Sequence, residues 1–247
     1  MMQTPEIARE IPKCMGGSPK TTLAAAELEG NAVRISGETR LLYHGSKSGI
    51  VGDIQPISRE RCDFGRGFYM GTERTQALTL ICNFPNAKLY TLRADLAGLC
   101  ILDVGLGIDW ALLIAFHRGR LHSVVERKIY QKYADMSDGC DMIVGYIADD
   151  RMFVVLDRFF SGEITDTALI ASLSALKLGK QYVAISEKAC RQIEILEEIS
   201  LDEEERAVLR VVGEKHRQEG IRQADEICRK HRRDGRFFDE IIDGWQG

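Results

Sequence analysis

The sequence predicts a mixed α+β domain followed by a charged helical arm. Two observations carry that expectation. Between residues 38 and 199, short apolar runs of strand length alternate with segments of helical periodicity. After Leu201 the apolar pattern thins, and acidic Asp202 to Glu205 opens a long charge-dense stretch. The chain therefore divides into a lead-in over 1–37, a main domain over 38–199 and an arm over 200–247.

In the lead-in, Gly16-Gly17-Ser18-Pro19 signals a loop and Thr22 to Leu28 a short helix. Arg40 to Tyr43 reads as a strand that ends at His44, and Thr72 as the cap of a helix through Ala77, Leu78 and Ile81. Lys88 to Leu96 alternates as a strand, and Gly98 to Val104 is a second apolar run. Asp109 to His117 and Ser123 to Tyr133 read as helices, and Asp141 to Ala148 as a buried strand. Asp149 or Asp150 then caps a helix with Met152, Phe153, Val155, Leu156, Phe159 and Phe160 on one face. Thr165 opens a helix through Leu169 and Leu173, Gln181 to Ile185 is the last strand, and Ser186 caps a helix after it. In the arm a helix runs to about Arg233, and Phe237, Phe238, Ile241, Ile242 and Trp245 form a cluster that docks on the domain or on a partner.

Bulk properties narrow the function classes. A chain of 247 residues with 45% apolar and 28% charged content is that of a globular protein with one well-buried domain plus extensions, or two small domains. The net charge of −4 gives no overall electrostatic footprint for nucleic acid. The seven Cys stand singly with no Cys-x-x-Cys, so reduced thiols, no zinc site and a cytoplasmic location are expected, with export as a toxin or effector left open. No run long enough for a membrane span and no signal-peptide core is present in the sequence. His117 and His122 flank Arg118-Gly119-Arg120 without a third ligand at metal spacing, so no metal is expected.

Two segments carry the chemistry. Tyr43-His44-Gly45-Ser46 places a His at a strand end, and Asp63-Phe64-Gly65-Arg66-Gly67-Phe68-Tyr69 is a glycine-rich loop that delivers a Tyr. With Gly145 to Arg151 and Gln181 to Lys188, these motifs resemble a bacterial family of uncharacterised proteins placed in the ADP-ribosyltransferase superfamily. The first two are also similar to the His-Gly-Ser and Gly-x-Gly-x-Tyr elements of poly(ADP-ribose) polymerases. The resemblance covers roughly residues 38 to 195.

That resemblance implies an ADP-ribosyltransferase-like split β-sheet core, two small packed sheets flanked by helices. It implies NAD as co-substrate, nicotinamide as leaving group and transfer of ADP-ribose to a protein or other macromolecule, or to water. His44, Tyr69 and Gln181 become the catalytic set; His44, Gly45, Ser46, Gly67, Phe68 and Tyr69 become the NAD-binding set. His44 would hydrogen-bond ribose hydroxyls, the Gly45 backbone and Ser46 hydroxyl would meet the carboxamide, and Tyr69 would stack on the pyridinium. Gln181 stands where the superfamily has a Glu, so it keeps a hydrogen bond and loses a base. This disfavours polymer elongation and leaves mono-ADP-ribosyl transfer, NAD hydrolysis, or a non-catalytic NAD- or partner-binding module. The far side of the ring reads Leu78-Thr79-Leu80-Ile81 where the polymerases have a second Tyr. Glu187 reads as a first-turn acid, Asp149 to Arg151 as an acceptor-side wall or a helix cap, and Arg59, Arg61 and Arg66 as loop charges. An RNA phosphate-removing transferase would need an Arg and His clamp, for which only those loose arginines are present.

Overall fold

The computed structural model describes residues 31–34, 38–124, 127–148, 150–176 and 179–245. The loop expected at Gly16 to Pro19 and the helix expected at Thr22 to Leu28 lie outside them, as do Cys14 and Asp149. In chain order the elements are β1 (Asn31–Arg34), β2 (Thr39–Ser46), β3 (Phe68–Gly71), α1 (Arg74–Ile81), β4 (Lys88–Asp95), β5 (Cys100–Asp103) and α2 (Ile108–His117). A 3-10 turn (His122–Val124) leads to α3 (Lys128–Asp135), β6 (Met142–Tyr146), α4 (Asp150–Phe160) and α5 (Asp166–Ala175). Then come β7 (Lys180–Ala184), α6 (Glu187–Arg191), β8 (Ile193–Ser200), α7 (Glu203–Lys230) and α8 (Phe238–Asp243).

The strands form one mixed sheet in the order β1-β5-β6-β7-β3-β2-β4-β8. Among the described residues, only β5 and β6 run parallel as neighbours. The two packed sheets of the sequence reading are thus joined by hydrogen bonding, but barely so. β2 and β3 share a single pair, Tyr43↔Gly71, whereas β2 and β4 pair along their whole length. The sheet therefore carries a seam between β3 and β2.

Alternation across the strands sorts the core into two faces. Leu42, Phe68, Met70, Leu92, Tyr182 and Ala184 share one face. Val183, Ile143 and half-buried Tyr69 share the other with Phe64, Trp110, Phe159 and Leu169 beneath α2, α4 and α5. α2 is apolar all round, and Trp110 to Ala115 are fully buried, as expected of a helix enclosed on every side. A third cluster joins Leu78 and Ile81 of α1 to Leu89 and Leu201.

Several sequence expectations are corrected. Thr72 does not cap α1; its hydroxyl accepts the Lys180 N–H at 3.1 Å, and Glu73 stands at the cap without a side-chain bond. Gln181 to Ile185 is followed by one more strand, β8, whose Glu194, Glu197 and Glu198 bond Arg93, Thr91 and Lys88 of β4. A charged edge strand blunts pairing with other chains, and its weak alternation hid it in the sequence. The expected Ser123 to Tyr133 helix is the 3-10 turn and α3. Phe153 leaves the apolar face of α4 and is 45% exposed. Residues 31–34 of the lead-in pair with β5.

Other expectations hold. Thr165 and Ser186 accept the N–H of Ala168 and Ala189 as N-caps. Asp202 and Glu205 form a reciprocal capping box that starts α7. α8 buries Phe238, Ile241 and Ile242 against Phe159 of the domain and Ala224 of α7. Among the described residues no helix is long and apolar enough to cross a membrane.

Candidate functional site

The seam sets the geometry of the site. His44 lies just past the Tyr43↔Gly71 pair, and its Nδ1 bonds the Tyr69 carbonyl at 2.6 Å. A carbonyl only accepts, so Nδ1 carries the proton. Burial lowers the His44 pKa below the ordinary 6.5, the Tyr69 bond opposing it in part. The ring is therefore mostly neutral at pH 7, and Nε2 keeps a lone pair with no partner among the described residues. Phe68 supports the ring from one side, with centroids 4.4 Å apart and planes 29° off parallel.

Backbone direction follows from the same contacts. Successive strand residues turn their N–H and C=O to opposite edges. Thr72 N–H reaches Lys180 O, so even residues along β3 face β7 and odd ones face β2, as the Tyr69 carbonyl does. Tyr43 faces Gly71, and Gly45, two residues on, turns its N–H and C=O toward the same side. No ladder pair with β3 meets it there, where the His44 ring holds the Tyr69 carbonyl. Gly45 thus turns its N–H and C=O toward the seam outside any ladder pair with β3. Its own need for glycine is different from the one expected: a Cβ would stand 2.7 Å from Ile81 Cγ2 and 2.8 Å from the Ala77 carbonyl of α1. Ser46 donates to Gly49 O at 3.0 Å, which leaves its oxygen as an acceptor.

Tyr69 departs from its expected role. Its side chain leaves β3 on the face opposite Phe68, away from the His44 ring. Its hydroxyl donates to Gly65 O at 2.8 Å and accepts from Phe64 N–H at 3.0 Å. Burial pushes the phenol pKa up, so it stays protonated. These contacts make Tyr69 the fastener of the 63–67 loop, and His44 meets its backbone. Gly67 donates its N–H to Ser58 at 3.1 Å, and a Cβ there would strike Val183 and the Ala184 carbonyl.

Gln181 sits beside Gly71 on the Tyr69 face, 6% exposed, and its Nε2 donates to Tyr146 O at 3.1 Å. Next to it lies a group that the sequence left without a role. Asp63 pairs with Arg118 at the end of α2 through Nε at 3.0 Å and through Nη2, both on Oδ1. The two side chains are 14% and 13% exposed. Burial raises the Asp63 pKa, and the Arg118 guanidinium and the Gln181 amide pull it back. The face of Arg118 covers exposed Phe153 at 3.5 Å. A signal was present in the sequence: Arg118 directly follows the last periodic position of an apolar helix, where a cation is favoured.

The other candidates resolve plainly. Glu187 is the exposed first-turn acid, paired with Arg191 at 3.3 Å. Arg66 pairs with exposed Glu60, and Arg59 and Arg61 are exposed. Leu78 and Ile81 are buried in α1 while Leu80 is 54% exposed. No cluster of three or more potential metal ligands occurs among the described residues.

His117 packs on Gly65, whose φ of +73° and lack of a Cβ admit the ring. Its Nε2 is buried without a partner, and burial lowers its pKa from 6.5 to about 4. The folded state thus prefers the neutral ring. This contribution is present above pH 6.5 and is lost as pH falls toward 4. A thermal-unfolding series is expected to show a falling midpoint across that window. His117→Phe is expected to flatten the slope, and an unchanged slope overturns the assignment.

The chain belongs to the DUF3990 family of proteins of unknown function, whose profile matches residues 41–195. The match begins in β2 and ends in β8, so it spans the seam together with His44, Asp63, Tyr69, Arg118 and Gln181. No curated protein and no solved structure matches the chain.

Proposed function

We propose that the protein binds NAD at the seam and transfers its ADP-ribose to a protein or other macromolecule, releasing nicotinamide. The observation that carries this reading is the neutral His44 ring with a free Nε2 beside Gly45, which has no ladder partner on β3. A carboxamide presents the complementary acceptor and donor to Gly45, and a ribose hydroxyl donates to Nε2. The nearly parted sheet and the motifs at residues 43–46 and 63–69 also favour an ADP-ribosyltransferase-like fold.

The chemistry asks little of acid catalysis. The bond between ribose C1′ and the pyridinium nitrogen breaks with its electron pair going to nicotinamide, which leaves neutral. The oxocarbenium-like sugar is the species to be held, as in glycoside hydrolysis. An acceptor nucleophile then bonds C1′ and loses its proton. Gln181 is not a base, so the acceptor must be nucleophilic at neutral pH, which favours single transfers over chain growth.

A second reading is favoured by one observation: a Gln181 amide hydrogen is committed to Tyr146 O, as in a site kept for binding alone. Such a module takes NAD without turnover. Incubation with NAD labelled in its adenylate half, together with lysate, separates the two. Labelled macromolecule with free nicotinamide supports transfer. Stabilisation without nicotinamide supports the module; at a hundredfold excess over Kd it amounts to about 2.7 kcal/mol. Neither result overturns both.

A further inference from the structure

We propose that Cys100 and Cys140 are a dithiol–disulfide site: a small-molecule disulfide such as oxidised glutathione converts them into a covalent staple across the entry ends of β5 and β6. The site lies outside the seam, and its test does not depend on NAD.

Cys100 opens β5, and Cys140 stands two residues before β6. Their sulfurs are 3.8 Å apart, with the Cys100 thiol donating to Cys140. Both are free and half-buried, so a small reagent reaches them. The backbones on either side are pinned. β5 and β6 pair in parallel from Ile101↔Met142 onward. The Asp141 N–H donates to Cys100 O at 2.7 Å, and the Cys100 N–H donates to Asp141 Oδ2 at 2.9 Å. Ser186 and Lys188 hold the same carboxylate at 2.8 and 2.9 Å. The two thiols therefore stay side by side unless the sheet parts there. A disulfide is about 2.05 Å long, so the sulfurs must close by about 2 Å, a movement shared by two side chains.

The exchange runs in two steps. One thiol gives up its proton and attacks a sulfur of oxidised glutathione. That S–S bond breaks, and one glutathione leaves as a thiolate and takes the proton. The second thiol, already in contact, attacks the protein sulfur of the mixed disulfide and expels the other glutathione with the second proton. Two protein thiols are oxidised, and one small disulfide is reduced to two thiols. Burial and the bond from Cys100 push the Cys140 thiol above its ordinary range, so the reaction is slow at neutral pH. The two cysteines are 40 residues apart, and the segment between them carries α2 and α3. Closing that loop constrains the unfolded chain.

The test incubates the folded full-length protein with oxidised glutathione at pH 8, blocks the remaining thiols and maps the digest by mass spectrometry. The expected product is a peptide pair linked through Cys100 and Cys140, two hydrogens lighter than the separate peptides, with no lasting glutathione adduct on either residue. Dithiothreitol is expected to reverse it. The oxidised protein is expected to unfold roughly 10 °C above the reduced one. Amide hydrogen exchange along residues 101–103 and 142–144 is expected to slow. Cys100→Ser and Cys140→Ser are each expected to abolish the rise in midpoint and to leave a glutathione adduct on the remaining thiol. A lasting adduct on the wild-type protein, or a link that forms only in urea, overturns the site, because the folded sulfurs then touch without reacting. A link without a rise in midpoint overturns the staple. The map and the two midpoints of the wild-type protein decide both points even where a serine variant does not fold.

Discussion

His44→Ala is expected to cut NAD affinity about tenfold and to slow nicotinamide release by about a hundredfold or more. The smaller figure is the loss of one hydrogen bond from Nε2. The larger reflects a sugar no longer held in line for departure. Two further variants separate the ring's two nitrogens. His44→Asn replaces the Nδ1 donor to Tyr69 O and removes the Nε2 acceptor. It is expected to unfold near the wild-type midpoint and yet bind poorly. His44→Gln reaches toward the Nε2 position and loses the anchor, so it is expected to retain more affinity at lower stability. Calorimetry and a nicotinamide assay read both. Equal affinities across the series would remove His44 from the site.

Arg118→Ala is expected to carry the largest cost in stability. The guanidinium answers a carboxylate that is 14% exposed. Removing one partner of such a pair leaves a buried charge, a loss of about 3–5 kcal/mol. For a chain of this size that is a fall in midpoint of roughly 10 °C. The stacking of Arg118 on Phe153 is lost as well. Replacing both partners with apolar residues, Asp63→Leu with Arg118→Met, is expected to recover much of the loss. Urea unfolding measures it, and a single-variant loss below about 1 kcal/mol would mean that water already solvates the pair.

The alternation in residues 88–95 and the caps at Thr165, Ser186 and Asp202 were legible because local chemistry alone decides them. β8 was not legible: its glutamates are satisfied across the sheet by β4, which no local pattern records. At the site, the strand through Tyr43 and the glycine-rich loop could be read from the sequence, although β2 runs past His44 to Ser46 and pairs with β4 throughout. The direction of the Tyr69 phenol could not, since strand parity and one carbonyl fix it. Gly45 shows the same limit. The resemblance implied close approach by a ligand, whereas the neighbour that excludes a Cβ is α1. Asp63 and Arg118 are 55 residues apart, and only the fold makes them partners.

The 28-residue helix α7 lies across both halves of the sheet. Near its start Arg210 reaches the Cys82 carbonyl at the end of α1. Further along, Asp225 pairs with Arg158 of α4, and Cys228 meets Ser172 of α5. It acts as a splint bound to each side of a fracture. A helix tied to α1 on one side and to α4 and α5 on the other resists hinging that would widen the crack between β2 and β3. Clipping the splint is expected to loosen the crack, read as faster amide hydrogen exchange along β2 and β3.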